Sequence, residues 1–135
     1  MAEHPNLTIA RHLLDGIASS GDPDEVASLF APDLVFEVQG DDGALPWIGR
    51  RTGRDAFAGF VRDQRALTEP IAFEVEDVLA GDARAVTVGR LETRIRATGR
   101  VVAGAFAFVL TIADGVVTRF QMLEDSFAVS RAAQR

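Results

Sequence analysis

The sequence predicts an α+β domain in which helices pack on a curved, mostly antiparallel sheet. Up to Pro70 the apolar residues recur at three- and four-residue steps, the period of a helix face, and beyond it they alternate with polar ones. The alternating part is cut by Gly81-Asp82, Thr98-Gly99 and Asp114-Gly115, residue pairs that tolerate the positive φ of hairpin turns. A helical block followed by an antiparallel meander buries both sets of apolar faces only if the sheet wraps the helices.

The elements follow in order. Leu7, Ala10, Leu13, Leu14 and Ile17 share a face from Leu7 to Ala18, and Gly21 is placed to stop that helix. Asp22-Pro23-Asp24-Glu25 supplies an N-cap, a proline at the first helical position and acids beside the positive end of the dipole. A short second helix is therefore expected, with Val26, Leu29 and Phe30 inward and its end at Pro32. Leu34 to Val38 is β-branched and aromatic and reads as a strand. The stretch from Gln39 to Gly53, rich in glycine and holding the only tryptophan, reads as a loop. Thr52-Gly53-Arg54-Asp55 can cap a third helix with Phe57, Phe60, Val61 and Leu67 on one side, ended by Pro70. Strands are expected at Ile71–Leu79, Arg84–Ala97, Val101–Ala113 and Val116–Phe127.

Composition narrows the chemistry. The 135 residues carry 14 basic side chains, all arginine, against 20 acidic ones, a net charge of −6. With no cysteine and no lysine there is no thiolate nucleophile, disulfide, Schiff base or Walker-type clamp. Two histidines, one of them at position 4, do not make a multi-imidazole metal site, so neither metal nor cofactor is expected. The acidic balance opposes phosphate backbones and anionic lipid, which excludes nucleic acid and membrane as partners and favours a small molecule. No run of about 18 apolar residues and no signal-type opening occur, so a cytoplasmic protein is expected. One domain over 1–135 would bury roughly two thirds of its unfolded surface.

The order of elements, with Leu29-Phe30-Ala31-Pro32-Asp33, Trp47-Ile48-Gly49-Arg50, Thr52-Gly53-Arg54-Asp55-Ala56 and Asp114-Gly115-Val116-Val117-Thr118-Arg119-Phe120, resembles the SnoaL-like branch of the nuclear-transport-factor-2-like superfamily over nearly the whole chain. The resemblance implies a cone-shaped barrel of three N-terminal helices against a curved sheet, one deep pocket and, commonly, a homodimer. Members include ketosteroid isomerase, polyketide cyclases and limonene epoxide hydrolase. Aligned on the isomerase, Leu14, Val38 and Phe108 stand where its tyrosine, base and oxyanion aspartate would be. Aligned on the epoxide hydrolase, Arg90-Leu91-Glu92 stands for its Arg-x-Asp, and its final-strand aspartate falls on Met122, two residues before Glu124. For the cyclases, Asp125 is the counterpart of the acid.

Alternation on the last strand puts Phe120, Met122, Glu124 and Ser126 on one face and Gln121, Leu123, Asp125 and Phe127 on the other. The epoxide-hydrolase alignment favours the first face as the pocket side, with Glu124 the inward acid. Asp125 then bonds the sheet margin or a dimer partner. Arg90 and Glu92 share a face with Val86 and Val88, either as a polar pocket tip or as an exposed charge ladder continued by Arg94 and Arg96. His12 lies off the apolar stripe, at a rim or in solvent. Trp47 reads as a lid over a flat ligand or as a core anchor. Phe36, Val38, Phe106, Phe108, Phe120 and Met122 form core and pocket wall together. Arg50, Arg51 and Arg54 read as a solvated loop and helix start rather than an anion-binding rim. The chain is thus expected to take a hydrophobic, cyclic small molecule without a cofactor. If it is an enzyme, Glu124 or Asp125 is the general acid/base, with Arg90 and Glu92 orienting the substrate or water. The alternative is a non-catalytic binding or dimerisation module whose pocket is filled by its own side chains.

Overall fold

A computed structural model describes residues 3–18 and 22–134. The elements are α1 (Pro5–Ala18), α2 (Pro23–Ala27), β1 (Phe30–Val38), β2 (Gly49–Thr52), α3 (Arg54–Leu67), β3 (Thr68–Ala80), β4 (Arg84–Ile95), β5 (Val101–Ala113), β6 (Val116–Glu124) and α4 (Ser126–Ala133). The strands form one open six-stranded sheet in the order β2-β1-β6-β5-β4-β3, parallel only between β1 and β6. This is the α+β architecture with a curved, mostly antiparallel sheet that the pattern predicts.

Local chemistry explains most of the boundaries. Asp22 accepts from the Asp24 amide at 2.9 Å and caps α2, with Pro23 at its first position. In the last hairpin Asp114 and Gly115 have φ of 52° and 77°, the two positive values of a type I′ turn. The stop expected at Gly21 lies outside the described residues.

Four expectations are corrected. α2 ends at Ala27 and not at Pro32, because Phe30 already pairs with Val117 as the start of β1. Pro32 falls where the β1–β6 register shifts, so its missing amide costs no ladder bond. The expected loop from Gln39 to Gly53 contains β2, which pairs antiparallel with Val35–Val38 although its own sequence, Gly-Arg-Arg-Thr, is polar. The last strand stops at Glu124 and not at Phe127. Asp125 turns the chain there and caps α4, a helix not expected from the sequence.

The concave face of the sheet is filled by α1, α3 and an aromatic cluster. Phe120 lies against Phe36 in a stacked pair at 5.4 Å, with the rings of Phe30, Phe57, Phe60 and Phe108 around it. All of these rings are buried. Asn6, itself buried, donates to the carbonyls of Gly81 and Asp82 and ties the start of α1 to the β3–β4 turn. On the outside of the sheet Glu37 accepts from Arg119 at 3.2 Å and Gln121 at 2.9 Å, joining β1 to β6. No helix among the described residues is long and apolar enough to cross a membrane.

β3 and β4 approach each other closely at Gly89 on β4. Opposite it β3 carries an irregularity between Val75 and Asp77, and the space of a side chain at Gly89 is occupied by the Glu74 carbonyl and the Phe106 ring. A methyl there would run into backbone that cannot retreat without breaking the β3–β4 ladder. Gly89→Ala is therefore expected to destabilise by about 1–3 kcal/mol or more. Gly59→Ala in α3, where an added methyl meets nothing within 4 Å, should stabilise by roughly 0.5–1 kcal/mol. Denaturant midpoints of the two variants check this, and a neutral Gly89→Ala would refute the tight approach.

Candidate functional site

The interior between α3 and the concave face is not solid. A cleft of about 480 Å³ opens between the end of α1, α3 and strands β3 and β4. Its walls are apolar: Ile17 from α1, Phe60 and Val61 from α3, Phe73 from β3, Phe108 from β5 and Met122 from β6. Beside it, a second, smaller space of about 30 Å³ has one charged side chain on its lining, Glu124. Leu45 and Trp47 from the β1–β2 connection, Ile95 and Val102 from β4 and β5, and Val129 from α4 also line it. Gln64, Thr68, Leu91, Thr93 and Met122 line both spaces, so they form the threshold between them.

Backbone geometry puts each of these groups in place. Phe57, Phe60 and Val61 bury the inner stripe of α3, and Gln64, one turn after Phe60, continues that stripe to the threshold. Thr68, buried at the junction of α3 and β3, donates its hydroxyl to the Gln64 carbonyl at 2.5 Å. On β4, Leu91, Thr93 and Ile95 alternate inward, and on β6 Phe120, Met122 and Glu124 do the same.

The Glu124 carboxyl has no hydrogen-bond or ion-pair partner among the described residues. Burial, and secondarily the charge of the adjacent Asp125, push it up to about 7 from its ordinary value of 4.5. A carboxyl that titrates there can give or take a proton near neutral pH. No group of three or more His, Asp or Glu that could hold a metal ion occurs among the described residues.

The other expected site residues separate into distinct places. Asp125 accepts from the Ala128 amide at 3.0 Å as the N-cap of α4 and is exposed, which corrects its assignment as an acid of the pocket. Arg90 and Glu92 are corrected as well. Their neighbours Leu91 and Thr93 take the inner face, so alternation turns both charges to the outer face of the sheet. His12 is exposed on α1 in a groove with Asp15 and Glu25, away from the cleft. Trp47 is buried, its ring edge-on to Phe60 at 5.9 Å, and lines the Glu124 space rather than covering the cleft. Phe36, Val38, Phe106 and Phe120 are core and line neither space, whereas Phe108 lines the cleft and Met122 both. Arg51 and Arg54 spend their guanidinium groups on the carbonyls of Pro46 and Phe30. The sequence reading missed Gln64, Thr68 and Thr93. The available signal was a polar residue on an otherwise apolar stripe, clearest at Gln64 and at Thr93 between Leu91 and Ile95.

Comparison with known proteins fits this geometry. Residues 10–120 match the family model of the SnoaL-like domain. Among solved structures, an NTF2-like protein from Burkholderia xenovorans LB400 superposes with a TM-score of 0.86 at 22% identity, covering 99% of both chains. A protein with a ketosteroid isomerase-like fold from Catenulispora acidiphila DSM 44928, in complex with trimethylamine, gives 0.74 at 15% identity, covering 93% of this chain and 91% of that one. A candidate SnoaL-like polyketide cyclase from Mesorhizobium loti gives 0.67 at 17% identity, covering 85% and 97%. At such identities these likenesses concern the fold. No curated protein matches the chain.

The raised value at Glu124 ties stability to pH. The folded carboxyl keeps its proton up to about pH 7, whereas the unfolded one loses it near 4.5. The resulting stabilisation is complete below pH 4.5 and lost as the pH rises through 7. Glu124→Gln removes this dependence, so from pH 5 to 8 the variant should gain on the wild type by on the order of 2 kcal/mol. Urea unfolding at the two pH values reads it out, and parallel pH profiles would mean that the carboxyl is solvated.

Proposed function

The chain belongs to the SnoaL-like family, and we propose that it binds a hydrophobic, cyclic small molecule in the cleft and transforms it by cofactor-free proton transfer through Glu124. The observation that carries this reading is the unpaired Glu124 carboxyl beside an apolar cleft, pushed up to about 7 by burial. A polar group kept without a partner costs stability, and such a cost is commonly found where a protein works. Isomerisation, ring closure and hydrolysis all fit a single carboxyl of this kind. The apolar walls contribute affinity and orientation, and the threshold residues Gln64 and Thr93 offer hydrogen bonds to a substrate oxygen.

A second reading, a binding module without catalysis, is favoured by the apolar residues Leu14, Val38 and Phe108 at the positions of the isomerase machinery. The two are separated by a thermal-shift screen of lactones, epoxides, ketones and steroids, followed by turnover assays on the hits. A ligand at a hundred times its dissociation constant stabilises by roughly 2.7 kcal/mol. Turnover should depend on a single ionisation near pH 7, and Glu124→Gln should lower kcat/KM about 10²–10⁴-fold. Asp125→Ala should instead cost about 1 kcal/mol of stability through the lost cap and leave turnover in place. Binding without turnover would establish the module.

For the outer face we propose a second copy of this chain as partner. Ala103, Ala105, Ala107 and Val109 of β5 present a flat apolar strip there, flanked by Leu79 and Leu123, 57% and 40% exposed. Glu74, Arg90, Glu92 and Arg94 alternate in sign beside it, so a two-fold axis can set acids against bases. Light scattering should give a dimer mass, shifted to the monomer by Ala105→Arg. A monomeric wild type would refute this assembly.

A further inference from the structure

Resting on the cleft as the ligand site and not on catalysis by Glu124, we infer that the ligand is an apolar ring bearing a carboxylate. Arg65 takes the carboxylate at the mouth of the cleft, and the ring lies between α3 and the sheet. Among the described residues Arg65 is the one charged side chain on the cleft lining, and Glu124 is the one on the lining of the smaller space. Neither lines both. A ligand in the cleft therefore meets a permanent cation on one side and a carboxyl on the other.

Helix geometry separates the two polar residues that α3 gives the cleft. Gln64 follows Phe60 by one turn and is half-buried at the threshold, whereas Arg65 follows Val61 by one turn and is exposed. Arg65 thus stands at the rim of an apolar wall. Its planar fork matches a carboxylate with two parallel hydrogen bonds, and at a rim the anion keeps part of its hydration, so little desolvation opposes the pairing. As a cation in the last turn of α3, Arg65 also complements the helix dipole, but that role requires no place on the cleft lining.

Charge elsewhere on the chain favours the same end. Acids outnumber bases 20 to 14 overall, yet between Glu92 and Asp114 the sequence holds Arg94, Arg96 and Arg100 and no acid, and α4 adds only Arg131. Arg96 is fixed at the α3–β3 junction, where its amide bonds the Leu67 carbonyl at 3.0 Å and its Nε the Thr68 carbonyl at 3.2 Å. Arg100 donates to the carbonyls of Arg131 and Gln134 at 3.0 and 2.8 Å. Carbonyls orient these guanidinium groups without cancelling their charge, and neither has a carboxylate partner among the described residues. Thr68 itself lines the cleft, so the uncompensated charge of Arg96 lies beside the wall that Arg65 flanks. An anion repelled by the acidic remainder of the surface meets a favourable potential here. Glu124, once ionised, repels a second carboxylate, which turns the acid group of the ligand to Arg65 and its ring to the threshold.

The test is calorimetric binding of naphthoate and cyclohexanecarboxylate, each beside its neutral primary amide, to the intact wild type and to Arg65→Gln, Arg65→Lys, Arg62→Gln and Phe73→Ala. Each acid should bind about tenfold tighter than its amide at low salt and lose most of that preference at about 0.5 M salt. Arg65→Gln should abolish the preference and leave the affinity for the amide unchanged, and Arg65→Lys should keep part of it. Arg62 sits on the same helix but pairs with Asp24 at 2.7 Å and does not line the cleft, so Arg62→Gln, the same change of net charge, should leave the preference intact. Phe73→Ala, which strips an apolar wall, should weaken acid and amide alike. Equal binding of acid and amide, an acid preference that survives Arg65→Gln, or acid binding indifferent to Phe73→Ala would overturn the inference. Binding of neutral rings alone would overturn it too, while leaving the cleft as the ligand site. Absence of binding by these compounds and by every neutral ring of the thermal-shift screen would overturn both.

Discussion

The stack of Phe36 on Phe120 fixes the rest of this molecule. It joins β1 to β6, the one parallel pairing in the sheet, and Phe57 and Phe60 of α3 close over it. Rings this large bury much apolar surface and tolerate few relative orientations, so they set the rotation of α3 as well as its distance from the sheet. With that rotation fixed, Gln64 can fall only where it does, one turn beyond Phe60 and at the threshold between the cleft and the Glu124 space. The aromatic cluster is thus both the core of the fold and the jig of the site.

Glu124 stands at the opposite extreme of packing. β6 carries the buried run Phe120 and Met122 to a carboxyl that no other described side chain satisfies, and the chain turns away at the next residue. Two adjacent acids therefore meet opposite fates. Glu124 is desolvated by burial and lines one space with Trp47, Ile95 and Val129, and Asp125 spends its charge on a helix amide in solvent. The cap and that space depend on each other, since α4 begins at Asp125 and supplies Val129 to the lining. A fold that tolerates the cost of Glu124 must recover it elsewhere, and the aromatic cluster is the evident source.

The close approach of β3 to β4 has an equally local origin. At Gly89 the inner face of β4 lacks a side chain, and the backbone of β3 folds over the gap. The outer face there bears small and charged residues. Inner cleft and outer strip are two sides of the same sheet.

What the sequence determined by itself was everything governed by local periodicity or local hydrogen bonding. The apolar stripe of α1, that of α3 at Phe57, Phe60 and Val61 though not at the exposed Leu67, the cap at Asp22 and the turn at Asp114-Gly115 appear where the residues alone put them, because helix faces and turn dihedrals are decided within a few residues. The inward role of Glu124 followed from alternation once one face of the last strand was chosen. Only the tertiary structure decided the rest. β2 is a strand because Val35–Val38 offers it an edge, and nothing in Gly-Arg-Arg-Thr says so. α4 was hidden because Asp125-Ser126 interrupts a period of two only at its end. Arg90 and Glu92 fit a pocket or a surface equally well on paper, since alternation defines two faces but not which one the helices cover. The physical reason is common to all three: pairing, register and burial are interactions between segments far apart in the chain.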